Sequence, residues 1–424
     1  MLTAQFIREN RDRVARDMTN RGADVDLDRV ISLDEQRRAA IQEVEALRAD
    51  RNAASKLIGQ TRDPDERNRR IESQREVNTL LETSEASLKE TESALHELLL
   101  TIPNVLDPAV PVGKDESENV VVETVGEPRS FGFSPLPHWE LGELLGGIDF
   151  ERGVKMSGSR FFVLRGGVAR LHRALIQWML NSHVAEGFEE AYVPYMLNEE
   201  SLIASGQLPK FRDNLYHDDE EDYFFIPTAE VALVNLYRDE IIEPGMLPMR
   251  LTAHTPCFRR EKMSAGRDVR GIKRVHQFEK VEMFVYCDPG ESEAELDRLV
   301  KQARSLPEAL EIPYRVLALC SADVGFNATR TFDIEMHAPG ADEWLEVSSA
   351  SNCLDFQARR ANIRYRSEAG GPTRFPHMLN ASGLGLVRTL VAVMENYQQE
   401  DGSIEVPAVL RPYAGTARIE PANA

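Results

Sequence analysis

Apolar positions recur at helical spacing through the first hundred residues and at strand spacing beyond them. Leu33, Ile41, Val44, Leu47 and Leu57 form one stripe while charged residues fill most other positions, the pattern of an amphipathic helix with a wet face. Gly59-Gln60-Thr61-Arg62-Asp63-Pro64-Asp65 then supplies turn formers and breakers. A second run carries Ile71, Val77, Leu81, Leu88 and Leu95, the last three at heptad spacing. It closes at Thr101-Ile102-Pro103-Asn104, where proline disfavours helix in the residue before it. Two long helices joined by a short turn pack antiparallel and bury their stripes together. Residues 1–110 are therefore expected to form an antiparallel coiled-coil hairpin. Its length and polarity favour a projecting arm over helices laid on a larger body.

From about residue 111 to 424 the pattern changes to short strands, turns and a few helices. Gly167 to Glu186 reads as a helix with Leu171, Leu175, Trp178 and Met179 on its apolar side. Ala191-Tyr192-Val193-Pro194 after it reads as a strand ending at proline. Tyr223–Ile226 and Val281–Tyr286 are aromatic and β-branched, as strands are. Strands and helices mix without a βαβ repeat, which predicts an α+β fold.

Composition narrows the class. Hydrophobic residues at 42% and charged residues at 28% suit a water-soluble globular chain of two or three domains. No apolar stretch is long enough to span a membrane, and Arg8 and Glu9 interrupt the start too early for a secretory leader. Cys257, Cys287, Cys320 and Cys353 form no CxxC pair, which argues against a disulfide framework or cysteine zinc site and for a reducing cytoplasm. The net charge of −20 opposes a nucleic-acid partner only on average, because it does not describe any single face. Basic residues cluster in Arg67-Asn68-Arg69-Arg70 and across Lys262, Arg267, Arg270, Lys273 and Arg274. Such runs are usually solvated faces, so composition alone does not suggest RNA.

Candidate chemistry lies in three places. In the first, Phe258-Arg259-Arg260-Glu261 and Arg274 to Glu282 flank a glycine-containing basic loop, Lys262–Lys273, suited to polyphosphate. Strand alternation would put Arg259 with Glu261 on one face, and Phe278 with Lys280 and Glu282 on another. A guanidinium fork suits phosphate or carboxylate and an aromatic ring suits a base, although an isolated Arg-x-Glu is usually a surface ion pair. In the second, Gly383-Leu384-Gly385-Leu386-Val387-Arg388 leads into an apolar helix. Arg388 stands where a dinucleotide fingerprint needs its third glycine, so helix packing is the plainer reading. In the third, Leu345-Glu346-Val347-Ser348-Ser349-Ala350-Ser351-Asn352 is oxygen-rich, as magnesium requires, or else simply a polar strand end.

Together these segments resemble something specific. Gly187–Pro194, Phe258–Glu282 and Gly383–Arg388 resemble motifs 1, 2 and 3 of class II aminoacyl-tRNA synthetases, in that order. Met156-Ser157-Gly158-Ser159-Arg160-Phe161, Gly206-Gln207-Leu208-Pro209-Lys210-Phe211 and Ile226-Pro227-Thr228-Ala229-Glu230 narrow the resemblance to bacterial-type seryl-tRNA synthetases. So do Gly266-Arg267-Asp268-Val269-Arg270-Gly271, His276-Gln277-Phe278, Asp355-Phe356-Gln357-Ala358-Arg359-Arg360 and Glu395-Asn396-Tyr397-Gln398-Gln399 with Pro407 to Tyr413. The likeness covers nearly the whole chain. The methanogen-type enzyme with its catalytic zinc does not fit.

The resemblance implies an N-terminal tRNA-binding coiled-coil arm over 1–110. A class II catalytic domain on a mostly antiparallel sheet flanked by helices would follow over 111–424. It implies a serine–tRNA ligase that makes seryl-adenylate from L-serine and ATP and charges serine tRNA, and selenocysteine tRNA where present. Thr228, Ala229 and Glu230 would hold the serine amino group, Arg259 its carboxylate and then the α-phosphate. Glu282, Asn380 and Ser382 would line the pocket and read the hydroxyl. Phe278 would stack on adenine, with Arg260, Glu261 and the Val275 backbone nearby. Arg388 would grip the γ-phosphate, with Val347 and Ser348 in the ATP site. Glu346 and Ser349 would coordinate Mg2+, which needs a bulge, because strict alternation pairs Glu346 with Ser348. No zinc and no membrane are implied, and motif 1 implies a homodimer. Arg48, Arg51, Arg69 and Arg70 are candidates for tRNA contact. Arg260 stands where serine is common in the family, and Ala381 where glycine is common.

Three readings compete with this one. A ligase charging a carrier protein would usually lack the hairpin. A catalytically dead RNA-binding paralogue would have lost Arg259, Glu282 or Arg388. A structural coiled-coil protein would not need the second half.

Overall fold

The computed structural model describes residues 1–262 and 270–422, and the expected motif Gly266-Arg267-Asp268-Val269-Arg270-Gly271 lies largely outside them. The chain divides into two compact units, Met1–Thr19 with Ala23–Pro103, and Asn20–Gly22 with Asn104–Ala424.

The first unit is dominated by two helices, α1 (Leu27–Gln60) and α2 (Pro64–Leu100). Each start is set by local chemistry. Asp26 accepts from the Arg29 N–H and Asp63 from the Glu66 N–H, while Pro64 occupies the first turn, where its missing donor costs nothing. Val44, Leu81 and Leu95 are buried along the seam, and Arg48 pairs with Glu85 across it at 2.8 Å. One expected seam position is wrong. Leu57 is 48% exposed, and the half-buried residue is Ile58. Three helical turns span about eleven residues, so Ile58 and not Leu57 returns to the face of Leu47.

The second unit is built on an eight-stranded sheet. Its strands are β1 (Val120–Val125), β2 (Glu189–Glu190), β3 (Met249–Phe258), β4 (Gln277–Cys287), β5 (Tyr314–Ala318), β6 (Arg330–Ala338), β7 (Glu343–Asn352) and β8 (His377–Gly385). They lie in the order β1-β5-β6-β7-β8-β4-β3-β2, all antiparallel except β2 beside β3. Helices α3 (Gly166–Ala185), α4 (Ser292–Ala309) and α5 (Leu386–Asn396) share one core with this sheet. Leu171 and Met179 of α3, Leu299 of α4 and Leu390 of α5 are buried with Val281, Met283 and Val285 of β4. Period-two alternation sends Phe278, Lys280 and Glu282 to the opposite face. The fold is thus α+β, as expected.

Two strand expectations need correction. The strand near motif 1 is Glu189–Glu190, not Ala191–Val193. Ala191 N still donates to Thr252 O at 2.8 Å, but the chain then departs, with Tyr192 exposed and Val193 buried, toward a proline that cannot donate. Strand β3 ends at Phe258, so Arg259 and Glu261 do not share a strand face. Among the described residues no helix is long and apolar enough to cross a membrane.

The hairpin seam can be tested with two leucines. Leu81→Ala should cost about 2–4 kcal/mol in denaturant unfolding followed by helical signal, whereas Leu57→Ala should change it by about 0.5 kcal/mol or less. Equal losses from both would show that the seam runs elsewhere.

Candidate active site

A cavity of about 520 Å³ opens on the face of β4, β7 and β8 that carries Phe278, Lys280 and Glu282. Five basic and four acidic side chains line it: Arg259, Lys273, Arg274, Lys280 and Arg388 against Glu230, Glu261, Glu282 and Glu346.

One end gathers the carboxylates. Glu282 is buried, ion-paired with Lys280 and bonded by the Thr228 hydroxyl at 3.1 Å. Thr228 also accepts from the Glu230 N–H at 3.2 Å, which starts the short helix Glu230–Val234. The Glu230 carboxylate accepts from Gln357 Nε2 at 2.6 Å. Enclosure by protein, then repulsion from Glu282, pushes the Glu230 carboxyl up to about 7, although Lys280, Gln357 and Arg259 pull it down. Asn380 and Ser382 of β8 complete this end, and Asn380 Nδ2 lies 3.6 Å from the Cys353 sulfur.

Arg259 joins this end to Phe278. Its Nε donates to Pro227 O at 3.2 Å and its guanidinium sits 5.1 Å from the Phe278 ring centre. Its backbone N–H bonds to His276 O at 2.9 Å, and the chain then turns sharply, with Glu261 at φ +50°. Arg259 and Glu261 both reach the cavity, through this turn rather than through alternation.

The other end depends on two β-bulges. Between β6 and β7, Ile334 faces Ser348 while Glu335 faces Glu346, so Val347 is an extra residue. Glu346 and Ser349 therefore line the same cavity, and Ser348 is buried with its hydroxyl on Ser382 O. Between β4 and β8, Lys280 faces Gly385 and Glu282 faces Ser382, which gives β8 an extra residue where Leu384 takes φ +86°. The chain then enters α5, whose Arg388 donates to Glu346 O at 2.9 Å and lies 3.2 Å from its carboxylate.

A buried anchor holds the return of the loop. The Glu395 carboxylate of α5 accepts from His138 N at 2.8 Å, His138 Nδ1 at 2.9 Å and Gly340 N at 2.8 Å. His138 Nε2 accepts from Ile272 N at 3.2 Å, an arrangement that leaves Nδ1 to donate to Glu395. Gly271 has φ +80°, and a Cβ there would fall 1.9 Å from His138 Nε2. This fixes the backbone just before Lys273, Arg274 and Val275, all of which line the cavity.

Of the residues expected at the site, thirteen line the cavity and three do not. Ala229 is buried in the core beside Leu233 and Ala253. Arg260 turns away, with its Nε on Leu215 O at 2.8 Å and its guanidinium over Tyr216. Ser348 lies under the bulge. Ala381 is buried opposite Ala350 and Met283, so its methyl group is accommodated. Reasoning from sequence assigned no role to Asn214, Lys280 or Gln357. Only Lys280 carried a signal, its period-two spacing from Phe278 and Glu282.

An antiparallel sheet with a strand–loop–strand arginine, a stacking ring and a glycine-led helix bearing a second arginine is the arrangement of class II aminoacyl-tRNA synthetases. Accordingly, residues 211–397 match the tRNA synthetase class II core domain (G, H, P, S and T), and residues 1–106 match the seryl-tRNA synthetase N-terminal domain. The serine–tRNA ligase of Thermomicrobium roseum is 56% identical over 98% of this chain and 94% of its own. That of Roseiflexus castenholzii is 54% identical over 99% of both. The seryl-tRNA synthetase of Pyrococcus horikoshii, solved with ATP, superposes with a TM-score of 0.93 at 36% identity, covering all of both chains. The chain belongs to the seryl-tRNA synthetase family.

The raised carboxyl of Glu230 has a consequence for stability. Its folded value of about 7 lies above an ordinary carboxyl, so between roughly pH 4.5 and 7 the folded state holds a proton that the unfolded state releases. Stability therefore falls as pH rises through that window. Glu230→Gln, whose side-chain oxygen can still accept from Gln357, should be more stable than the parent by about 1–2 kcal/mol at pH 8 and little different at pH 4.5. Denaturant unfolding at both pH values checks this, and a pH-independent difference would refute it.

Proposed function

We propose that this chain activates L-serine with ATP and transfers it to the 3′ end of serine tRNA. The observation that carries this reading is Arg259, which bonds to Pro227 O, immediately before the Thr228–Glu230 segment, on one side and lies over Phe278 on the other. An amino acid and a nucleotide can therefore meet on one guanidinium. In this reading Thr228 and Glu230 hold the serine ammonium and Arg259 its carboxylate. Glu282, with Asn380 and Ser382, reads the hydroxyl. Phe278 stacks on adenine, with Glu261 and the Val275 backbone beside it, and Arg388 meets the γ-phosphate.

The serine carboxylate attacks the α-phosphorus in line, its P–O bond forming as pyrophosphate leaves with the broken bond. Such a transfer needs positioning and charge stabilisation more than a protein nucleophile, and the ionised carboxylate needs no base. Arg259 neutralises charge at the reacting phosphate and Arg388 orients the leaving group. A terminal tRNA ribose hydroxyl then attacks the adenylate carbonyl, forming the ester and releasing AMP.

The bulged β7 segment fits Mg2+, because oxygen donors alone are presented and Glu346 and Ser349 reach one cavity. Among the described residues no group of three or more His, Cys, Asp or Glu is arranged to hold a metal ion. Nucleotide phosphates would thus supply further ligands, and the ion would offset negative charge on them.

We assign tRNA binding to residues 1–110, catalysis to 111–424, and the chain to a cytoplasmic homodimer. The assembly is supported by exposed Val184 just before the motif 1 segment and exposed Tyr192 within it, and the compartment by four buried free thiols. Serine-dependent ATP–pyrophosphate exchange tests the reading, with threonine, alanine and glycine as controls. Exchange should require serine and Mg2+ and fall at least about 100-fold in Arg259→Ala. Replacing Arg48, Arg51, Arg69 and Arg70 by glutamine should leave exchange intact and raise the KM for tRNA about tenfold or more at low salt. Absence of exchange from folded, ATP-binding protein would sink the assignment, and exchange without tRNA charging would favour a carrier-protein ligase.

A further inference from the structure

We propose that Gln357 is a positioning residue for serine, its side-chain amide holding the Glu230 carboxylate in the place and orientation that grip the substrate ammonium. The inference rests on the assignment of Glu230 to that ammonium. Gln357 sits on the short helix Phe356–Arg360, is fully buried and does not line the cavity. Its Nε2 gives one proton to Glu230 Oε1 at 2.6 Å and the other to Ser205 O at 3.1 Å. Both partners are acceptors, so only the amide nitrogen can face them, and the orientation is unique. Ser205 O is itself held by Asn327 Nδ2 at 2.7 Å, which steadies the far end.

The amide oxygen reveals what this orientation costs. Gln357 Oε1 is buried without a hydrogen-bond partner, a penalty offset by using both N–H groups. No other residue described here donates a hydrogen bond to the Glu230 side chain, because the Thr228 hydroxyl is given to Glu282. The charged and titratable groups facing Glu230 are Glu282 and Lys280 of β4, Arg259 and the Cys353 thiol. Glu282 repels it, while Lys280 is already paired with Glu282. A neutral donor such as Gln357 can hold Glu230 ionised without cancelling the charge that the substrate needs.

The test is the pH profile of serine-dependent ATP–pyrophosphate exchange between pH 6 and 8.5 for the parent, Gln357→Met and Gln357→Glu. In the parent, kcat/KM for serine should fall as pH drops through about 7, where Glu230 takes a proton. Losing the amide donor should move that limb up by about one pH unit in Gln357→Met. Serine KM would then rise about fivefold at pH 7 and about tenfold at pH 6, but about threefold or less at pH 8.5, with kcat and the KM for ATP changed by about threefold at most. Gln357→Glu, which sets two acceptors against each other, should shift the limb further. Folding is checked by thermal melting. If Gln357→Glu unfolds, Gln357→Met carries the test, since it keeps the volume without a like charge. An unmoved limb, or equal losses toward serine and ATP at every pH, would overturn the proposal and leave Gln357 a packing residue. A parent that shows no serine-dependent exchange would instead sink the functional assignment beneath it.

Discussion

Glu230 and Glu282 stand at the same end of one cavity, and the arrangement around them follows from keeping two neighbouring carboxylates usable. Like charges in a poorly solvated space raise one another's affinity for protons. Lys280 answers Glu282 directly, and Thr228 adds a hydrogen bond, so Glu282 is the better compensated of the pair. Glu230 receives only the Gln357 amide and the more distant pull of Lys280 and Arg259, and its carboxyl rises to about 7. The imbalance matches an amino acid. On the proposed reading, a zwitterion would bring a positive group to Glu230 and a negative one to Arg259, settling both without a net change in charge. The cavity thus carries five basic against four acidic side chains within a chain of net charge −20, which shows why total charge says little about one face.

The opposite end of the cavity, which the proposed reading gives to phosphate, rests on a different constraint. Alternation along a strand presents every second side chain, and a site needing Glu346 with Ser349, or Ser382 with Gly385, cannot be cut from regular strands. The extra residue at Val347 and the one near Leu384 each shift the phase by one position. Leu384 accepts an unfavourable left-handed φ to make the second shift, just where β8 passes into α5. The Glu395–His138–Ile272 chain then links α5 to the returning loop, so Arg388, Lys273 and Val275 are held against a common buried anchor. Backbone irregularity and buried polar bonding therefore do together what side-chain choice alone could not.

Features written locally were legible in the sequence, and features made by distant contacts were not. Heptad spacing and the turn formers of Gly59–Asp65 marked the hairpin, although the apolar pattern set Leu57 rather than Ile58 on the seam. Period two aligned Phe278, Lys280 and Glu282. The need for a bulge before Ser349 followed from chemistry, since Glu346 and Ser349 could not otherwise share a face. Arg259 and Glu261 reached the cavity for a different reason than alternation, because β3 stops at Phe258 and the chain turns. Ser348 and Arg260 were expected near ATP by resemblance, yet local packing turns one beneath the bulge and the other onto Tyr216. Gln357 lies far along the chain from Glu230, and neither spacing nor composition ties a helical glutamine to a half-buried carboxylate.

Selectivity for serine, on the functional reading proposed here, follows from the same charges. The Glu282–Lys280–Thr228 set is buried and internally bonded, so it loses little when the cavity is empty of substrate hydroxyl. Alanine, however, would seal the pocket while leaving a carboxylate lone pair unanswered, and sites built for a hydroxyl discriminate by about 10⁴-fold on that basis. Threonine presents the opposite problem, since it satisfies the hydroxyl and adds a methyl group. Hydrophobic exclusion of one methyl is weak in a yielding pocket, worth only about 1–3 kcal/mol. Here the wall that would meet it is β8, paired with β4 through Asn380 and Ser382 and with β7 through Asn380. A wall fixed by backbone pairing on both sides moves less than one made of side chains, so the strand carrying the pocket's polar groups is also suited to exclude the larger substrate.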